Sequence, residues 1–131
     1  MLLDVYNKQI RSPLEYAAPA WGNSLTKQNK KDLERVQKCA FAIIFGSQSY
    51  RKTLKNYKIK SLDDRRSASC LKFALKTSKN VKFQNWFKKS DAKVRTTRQK
   101  IPKFTVVPSR TKRFRKSPIP VMTDLLNDNE I

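Results

Sequence analysis

Residues 26–46 read TKQNKKDLERVQKCAFAIIFG, and their spacing decides the fold. The side-chain oxygen of Thr26 suits the backbone N–H groups that open a helix, which makes it the expected N-cap. Leu33, Val36, Ala40, Ile43 and Ile44 recur at three- and four-residue steps, predicting one apolar stripe on a helix that runs to about Phe45. Lys30, Lys31, Glu34 and Lys38 fall on other faces. Gly46 follows, where helices commonly end in a left-handed residue that glycine adopts without steric cost.

Upstream, Leu2, Leu3, Tyr6 and Ile10 have helical spacing and predict a first helix to about Ser12. Pro13 interrupts it, because the proline nitrogen cannot donate to the carbonyl four residues earlier. Pro19 and Gly22 close a loop-like block in which Trp21 is expected to anchor the loop on the next helix. Downstream, Ser49 offers a cap for a short helix over Tyr50–Tyr57. Ser61 then opens Ser-Leu-Asp-Asp: its hydroxyl suits a cap, and Asp63 and Asp64 place negative charge at the positive end of the helix dipole. That helix is expected to reach about Ser78, carrying Leu62, Arg65, Arg66, Ser69, Leu71, Phe73 and Leu75.

Only two glycines and few alternating apolar runs predict an all-α fold, a small helical bundle over residues 1–87. From Lys88 to Lys116 there are 12 basic residues against one acidic, Asp91, and Pro102, Pro108, Pro118 and Pro120 break any long helix. Residues 88–131 therefore read as an extended basic tail, largely disordered when alone. Its apolar close, Ile119–Leu126, suits docking on the body or a last helical turn.

At 131 residues the chain is one domain at most, too short for a multi-lobed enzyme. Its 30 lysines and arginines against 10 acids give a net charge of +20, which repels itself when compact and seeks a polyanion. Nucleic acid is the expected partner, with an anionic membrane surface second, and no membrane span is expected, since no run approaches the roughly 18 apolar residues of a spanning helix. The start, MLLDVYNKQIR, lacks the pattern of a secretory signal. An intracellular protein, nuclear or cytoplasmic, is expected.

Catalysis is not expected. With no histidine there is no ordinary Ser-His-Asp or Cys-His arrangement, and no Gly-rich loop cradles a phosphate. The adjacent acids Asp63-Asp64 read as a helix start, not as carboxylates for two metal ions. Cys39 and Cys70 are expected to be reduced, buried thiols, and neither metal nor cofactor is anticipated. Tyr16, Trp21, Phe41, Phe45, Trp86 and Phe87 are read as core. The candidate nucleic-acid contacts are Lys27, Lys30, Lys31, Lys38, Arg65, Arg66, Lys72 and Lys76 on helix faces, with Arg95, Arg98, Arg110, Lys112, Arg113, Arg115 and Lys116 in the tail. Such residues neutralise phosphates without reading bases. The cluster Arg110–Lys116 equally suits nuclear import.

Several blocks in order carry a family resemblance. Residues 14–21 read LEYAAPAW, residues 33–38 LERVQK, residues 43–46 IIFG, residues 61–66 SLDDRR, residues 70–74 CLKFA and residues 110–120 RTKRFRKSPIP. This series resembles the segment that follows the polymerase palm in LINE-type (non-LTR) retrotransposon reverse transcriptases. The resemblance implies a thumb-like helical region and C-terminal extension that grip template–primer duplex, RNA or DNA, without sequence preference. It implies a partner in the missing palm and carries no catalytic residue. The family's acidic pair after the Ser-Tyr step is here Arg51-Lys52, and no Cys/His knuckle follows. The resulting expectation is a non-catalytic fragment of an RNA-directed DNA polymerase with a nucleic-acid-binding surface. An inactive remnant with only structural helices, and an independent basic host nucleic-acid binder, are the alternatives.

Overall fold

Capping and apolar spacing translate directly into the element order. The computed structural model describes residues 1–91 and 102–129, and the fold is all-α. The helices are α1 (Leu2–Val5), α2 (Ser12–Glu15), α3 (Ala18–Trp21), α4 (Lys27–Phe45), α5 (Tyr50–Asn56), α6 (Leu62–Lys79), α7 (Lys112–Arg115) and α8 (Pro118–Asp128). A π-helical turn, Tyr6–Arg11, joins α1 to α2, and 3-10 turns occupy Gly22–Ser24 and Val81–Trp86. Two compact units result: Met1–Ala18 with Leu25–Ala68, and Pro19–Ser24 with Ser69–Ile131.

In the first unit, Pro13 does not stop the helix. The wider π-turn ahead of it accommodates the missing donor, and the chain stays helical through Glu15. It then turns at Ala17, whose φ of 50° is a left-handed value that costs an alanine roughly 1–2 kcal/mol. Trp21 closes the helical turn α3 where a loop was expected.

Helix α4 begins as its sequence predicts, with Thr26 Oγ1 accepting the Asn29 N–H at 3.1 Å. It ends at Gly46, where φ 77° and ψ −168° lie in backbone space that only glycine enters cheaply. No atom lies within 4 Å of where a Cβ would stand, so backbone conformation rather than space requires the glycine.

The buried face of α4 is rotated from the expected stripe. Gln37, Ala40 and Phe41 are buried, whereas Val36 and Ile43 are exposed, Ile43 by 80%. Tyr6 from the π-turn packs edge-on against Phe41, with ring centroids 5.0 Å apart. Leu3, Ile44, Phe45, Tyr50, Leu54 and Ile59 pack around this centre. Phe45 stacks on Tyr57 at 4.1 Å. Each such ring pair contributes about 0.5–1.5 kcal/mol beyond its area. Ser49 precedes α5 but makes no side-chain cap; its carbonyl accepts from Thr53 instead.

In the second unit, Ala74, Phe87, Met122 and Leu126 form the core, with Leu75, Phe104 and Ile119 against it. Here the reading of residues 88–131 as extended is corrected at its end. Pro118 and Pro120 start α8, because the first helical turn has no use for their missing N–H groups. Both alternatives for Ile119–Leu126 are realised: the segment is helical and it docks. Residues 88–90 and 103–105 meet in an isolated antiparallel bridge, Lys89 to Phe104. The Asn127 carboxamide accepts the Phe104 N–H at 2.9 Å and donates to the Phe104 carbonyl at 3.1 Å, tying this stretch to α8.

Candidate nucleic-acid interface

Lys27, Lys31 and Lys38 are exposed on α4. At 100° per residue, steps of four and seven place all three within an arc of about 40°. Arg35, which sequence reasoning passed over, is exposed beside them. It lies four residues after Lys31, a spacing that could have identified it.

Of the nearby acids, Asp32 stays exposed on α4 and accepts the Gln28 carboxamide at 3.0 Å, whereas Glu34 and Asp63 are engaged within the fold. Glu34 turns inward: one oxygen takes the Tyr50 hydroxyl and the other accepts the Leu62 N–H at 3.2 Å, at the start of α6. Gln37 completes a polar seam beneath it, accepting the Tyr6 hydroxyl at 2.8 Å and donating to the Tyr50 oxygen at 3.0 Å. Burial pushes the Tyr6 phenol up to about 12. Burial, and then its hydrogen bond to Glu34, push the Tyr50 phenol up further. Sequence reasoning missed this seam because nothing local marks a glutamine as buried.

Asp63 is likewise engaged. Its Oδ1 meets Lys30 Nζ at 3.1 Å and Arg66 Nη2 at 3.2 Å. Burial works to raise its carboxyl, yet these two hydrogen bonds and charges hold it below the ordinary carboxylate value. Ser61 and Asp64 form the expected cap: Ser61 Oγ accepts the Asp64 N–H at 3.2 Å and donates to the Asp64 carboxylate at 2.7 Å.

Two candidate phosphate contacts are therefore corrected. Arg66 is only 3% exposed and points inward, with Nε and Nη1 lacking a hydrogen-bond partner. Arg65 forks onto Glu15, its Nε to one oxygen and its Nη2 to the other at 3.1 Å. The hydrogen bonds that Arg65 donates to Glu15 raise the guanidinium's affinity for its proton. Both arginines follow a helix start and face carboxylates, so their charge is spent on the fold. Lys30 is partly committed to Asp63 as well.

The second unit carries its own cations. Lys72 and Lys76 are exposed one turn apart on α6, and Lys79, which the sequence reading omitted, continues the row three residues on. Lys112, Arg113, Arg115 and Lys116 are exposed on and just after α7, with Arg110 two residues ahead of it. Thr111 caps that turn, accepting the Phe114 N–H at 3.2 Å. Arg95 and Arg98 lie outside the described residues.

The thiols divide. Cys70 is buried as expected, but Cys39 is exposed, because the rotation of α4 that buries Gln37 and Phe41 turns position 39 outward. Phe41 and Phe87 are core, whereas Tyr16 is 80% exposed and Trp86 41% exposed, contrary to the core reading of both. Among the described residues, no three of His, Cys, Asp and Glu gather where they could hold a metal ion. No helix among them is long and apolar enough to cross a membrane. Comparisons with family models, with curated proteins and with solved structures find no match to this chain.

Proposed function

We propose that the chain is a non-catalytic, thumb-like region of a LINE-type reverse transcriptase that holds nucleic-acid duplex or RNA–DNA hybrid by its backbone. The observation that carries the reading is the row of exposed lysines on α4. Lys27, Lys31 and Lys38 share one exposed side, while Glu34 on the same helix is consumed by Tyr50 and Leu62. Cations lined along a rigid helix suit successive phosphates and supply no base-reading geometry. The order of the LEYAAPAW, LERVQK, SLDDRR and RTKRFRKSPIP blocks supports the assignment to that region. In this reading, chemistry on the nucleic acid would come from the palm, because the quoted blocks resemble a region that carries no catalytic residue.

Binding of a short RNA–DNA hybrid across a salt series tests the reading. Affinity should fall steeply as salt rises and be indifferent to base sequence. Absence of binding at low salt would favour an inactive remnant whose helices only pack.

A further inference from the structure

A cavity of about 1320 Å³ opens in the second unit, walled by the end of α6, the turn Val81–Trp86, the bridge around Lys89 and Phe104, and α8. Three kinds of group meet there. Leu75, Phe87, Phe104 and Leu126 supply apolar and aromatic surface, the two phenyl rings 5.8 Å apart. Lys79, Lys88, Lys89 and Lys103 bring cations to the same lining, where Asp91 is the one acid among the described residues. Gln84 and Asn85 add carboxamides, which both donate and accept hydrogen bonds. The cations and rings adjoin: Lys103 Nζ lies 5.8 Å from the centre of the Phe104 ring.

This combination selects among anionic ligands. A free phosphate has no use for aromatic walls, and an acyl chain has none for carboxamides. A nucleotide uses all three: its base offers an apolar face and hydrogen-bonding edges, and its phosphate seeks amines. We propose that this cavity receives an unpaired nucleotide, such as a single-stranded overhang at the end of a bound duplex. The inference rests on the nucleic-acid reading above and adds a site for an unstacked base. The four lysines hold its phosphates, Phe104 offers a ring against the base, and Gln84 and Asn85 meet its edge.

The test compares a blunt RNA–DNA hybrid with the same hybrid carrying a one-nucleotide 2-aminopurine overhang, each titrated with the full chain. The overhang should tighten binding at least about fivefold, the lower end of what one base stacked on an aromatic side chain contributes, and its fluorescence should be quenched. Phe104→Leu keeps the apolar volume and removes the ring, so it should abolish the quenching. Lys89→Glu with Lys103→Glu should abolish the overhang's advantage while binding to the blunt hybrid persists, which also shows that the variant folds. Equal binding of the two hybrids with unquenched fluorescence would overturn the cavity as a nucleotide site and leave the helix-face reading standing. Failure to bind either hybrid at low salt would overturn both.

Discussion

The Glu34 carboxylate accepts the backbone N–H of Leu62 at 3.2 Å, so a side chain of α4 caps the first turn of α6 from 28 residues away. Its other oxygen takes the Tyr50 hydroxyl of α5, and one carboxylate thus joins three helices. Glu34→Ala should destabilise the fold by about 2 kcal/mol, since it strips a helix start of its acceptor and leaves the Tyr50 hydroxyl proton without one, the phenol oxygen keeping only the Gln37 carboxamide. Glu34→Gln should recover part of that. Urea unfolding followed by circular dichroism measures both, and wild-type stability for Glu34→Ala would contradict the inward role.

The same seam makes the fold sensitive to alkali. Tyr6 and Tyr50 are both raised in the folded state, Tyr6 to about 12, against an ordinary value of 10.0. A raised phenol stabilises the fold fully below its unfolded value, and that contribution disappears as pH climbs through the folded one. Stability should therefore hold up to about pH 10 and decline from there toward pH 12. Tyr6→Phe keeps the ring on Phe41, loses the hydrogen bond to Gln37 and should flatten the decline. Unfolding midpoints measured from pH 8 to pH 12 provide the check.

Arg66 and Asp63 should respond oppositely to removal. Arg66 is a buried cation with two unpartnered donors, and an apolar residue of similar length spares its desolvation cost. Arg66→Met should be neutral or stabilising by about 1 kcal/mol. Asp63→Ala leaves that guanidinium without its carboxylate and should cost about 1–2 kcal/mol, the half-exposed carboxylate being partly screened by solvent. Asp63 is held below its ordinary value, so its contribution is present above the unfolded carboxylate value and lost as pH falls through the folded one. Asp63→Asn should accordingly weaken the acid dependence of stability between about pH 5 and pH 3, readable in a pH series of thermal melts.

What the sequence disclosed was what short-range chemistry determines. Thr26 and Ser61 cap helices through residues three positions away, and both caps are found. Gly46 has a positive φ at the expected helix end. The face of α4 was not legible in the same way. Eight of its last ten residues, from Val36 to Phe45, are apolar, so periodicity allows more than one stripe. Tyr6 and Tyr50 settle which is buried, by giving Gln37 its partners. Arg65 misled for a related reason: a charge reads as surface until its carboxylate is placed, and Glu15 is 50 residues away. Arg66 has its carboxylate only three residues back, but its burial is set by packing that local spacing does not show. Among the cations, helical spacing suffices to align Lys27, Lys31 and Lys38, and the same logic extends to Lys79.

The most direct measurement is the salt slope of hybrid binding across three chains: wild type, Lys27→Ala/Lys31→Ala/Lys38→Ala, and Arg66→Met. Each phosphate-neutralising cation removed should lower the slope of log affinity against log salt by roughly 0.7–0.9. The triple variant should therefore lose about two units or more, with helix content unchanged. Arg66→Met should keep the wild-type slope, because that guanidinium is buried. Equal slopes for wild type and triple variant, or a reduced slope in Arg66→Met with its fold intact, would contradict α4 as the nucleic-acid-facing surface.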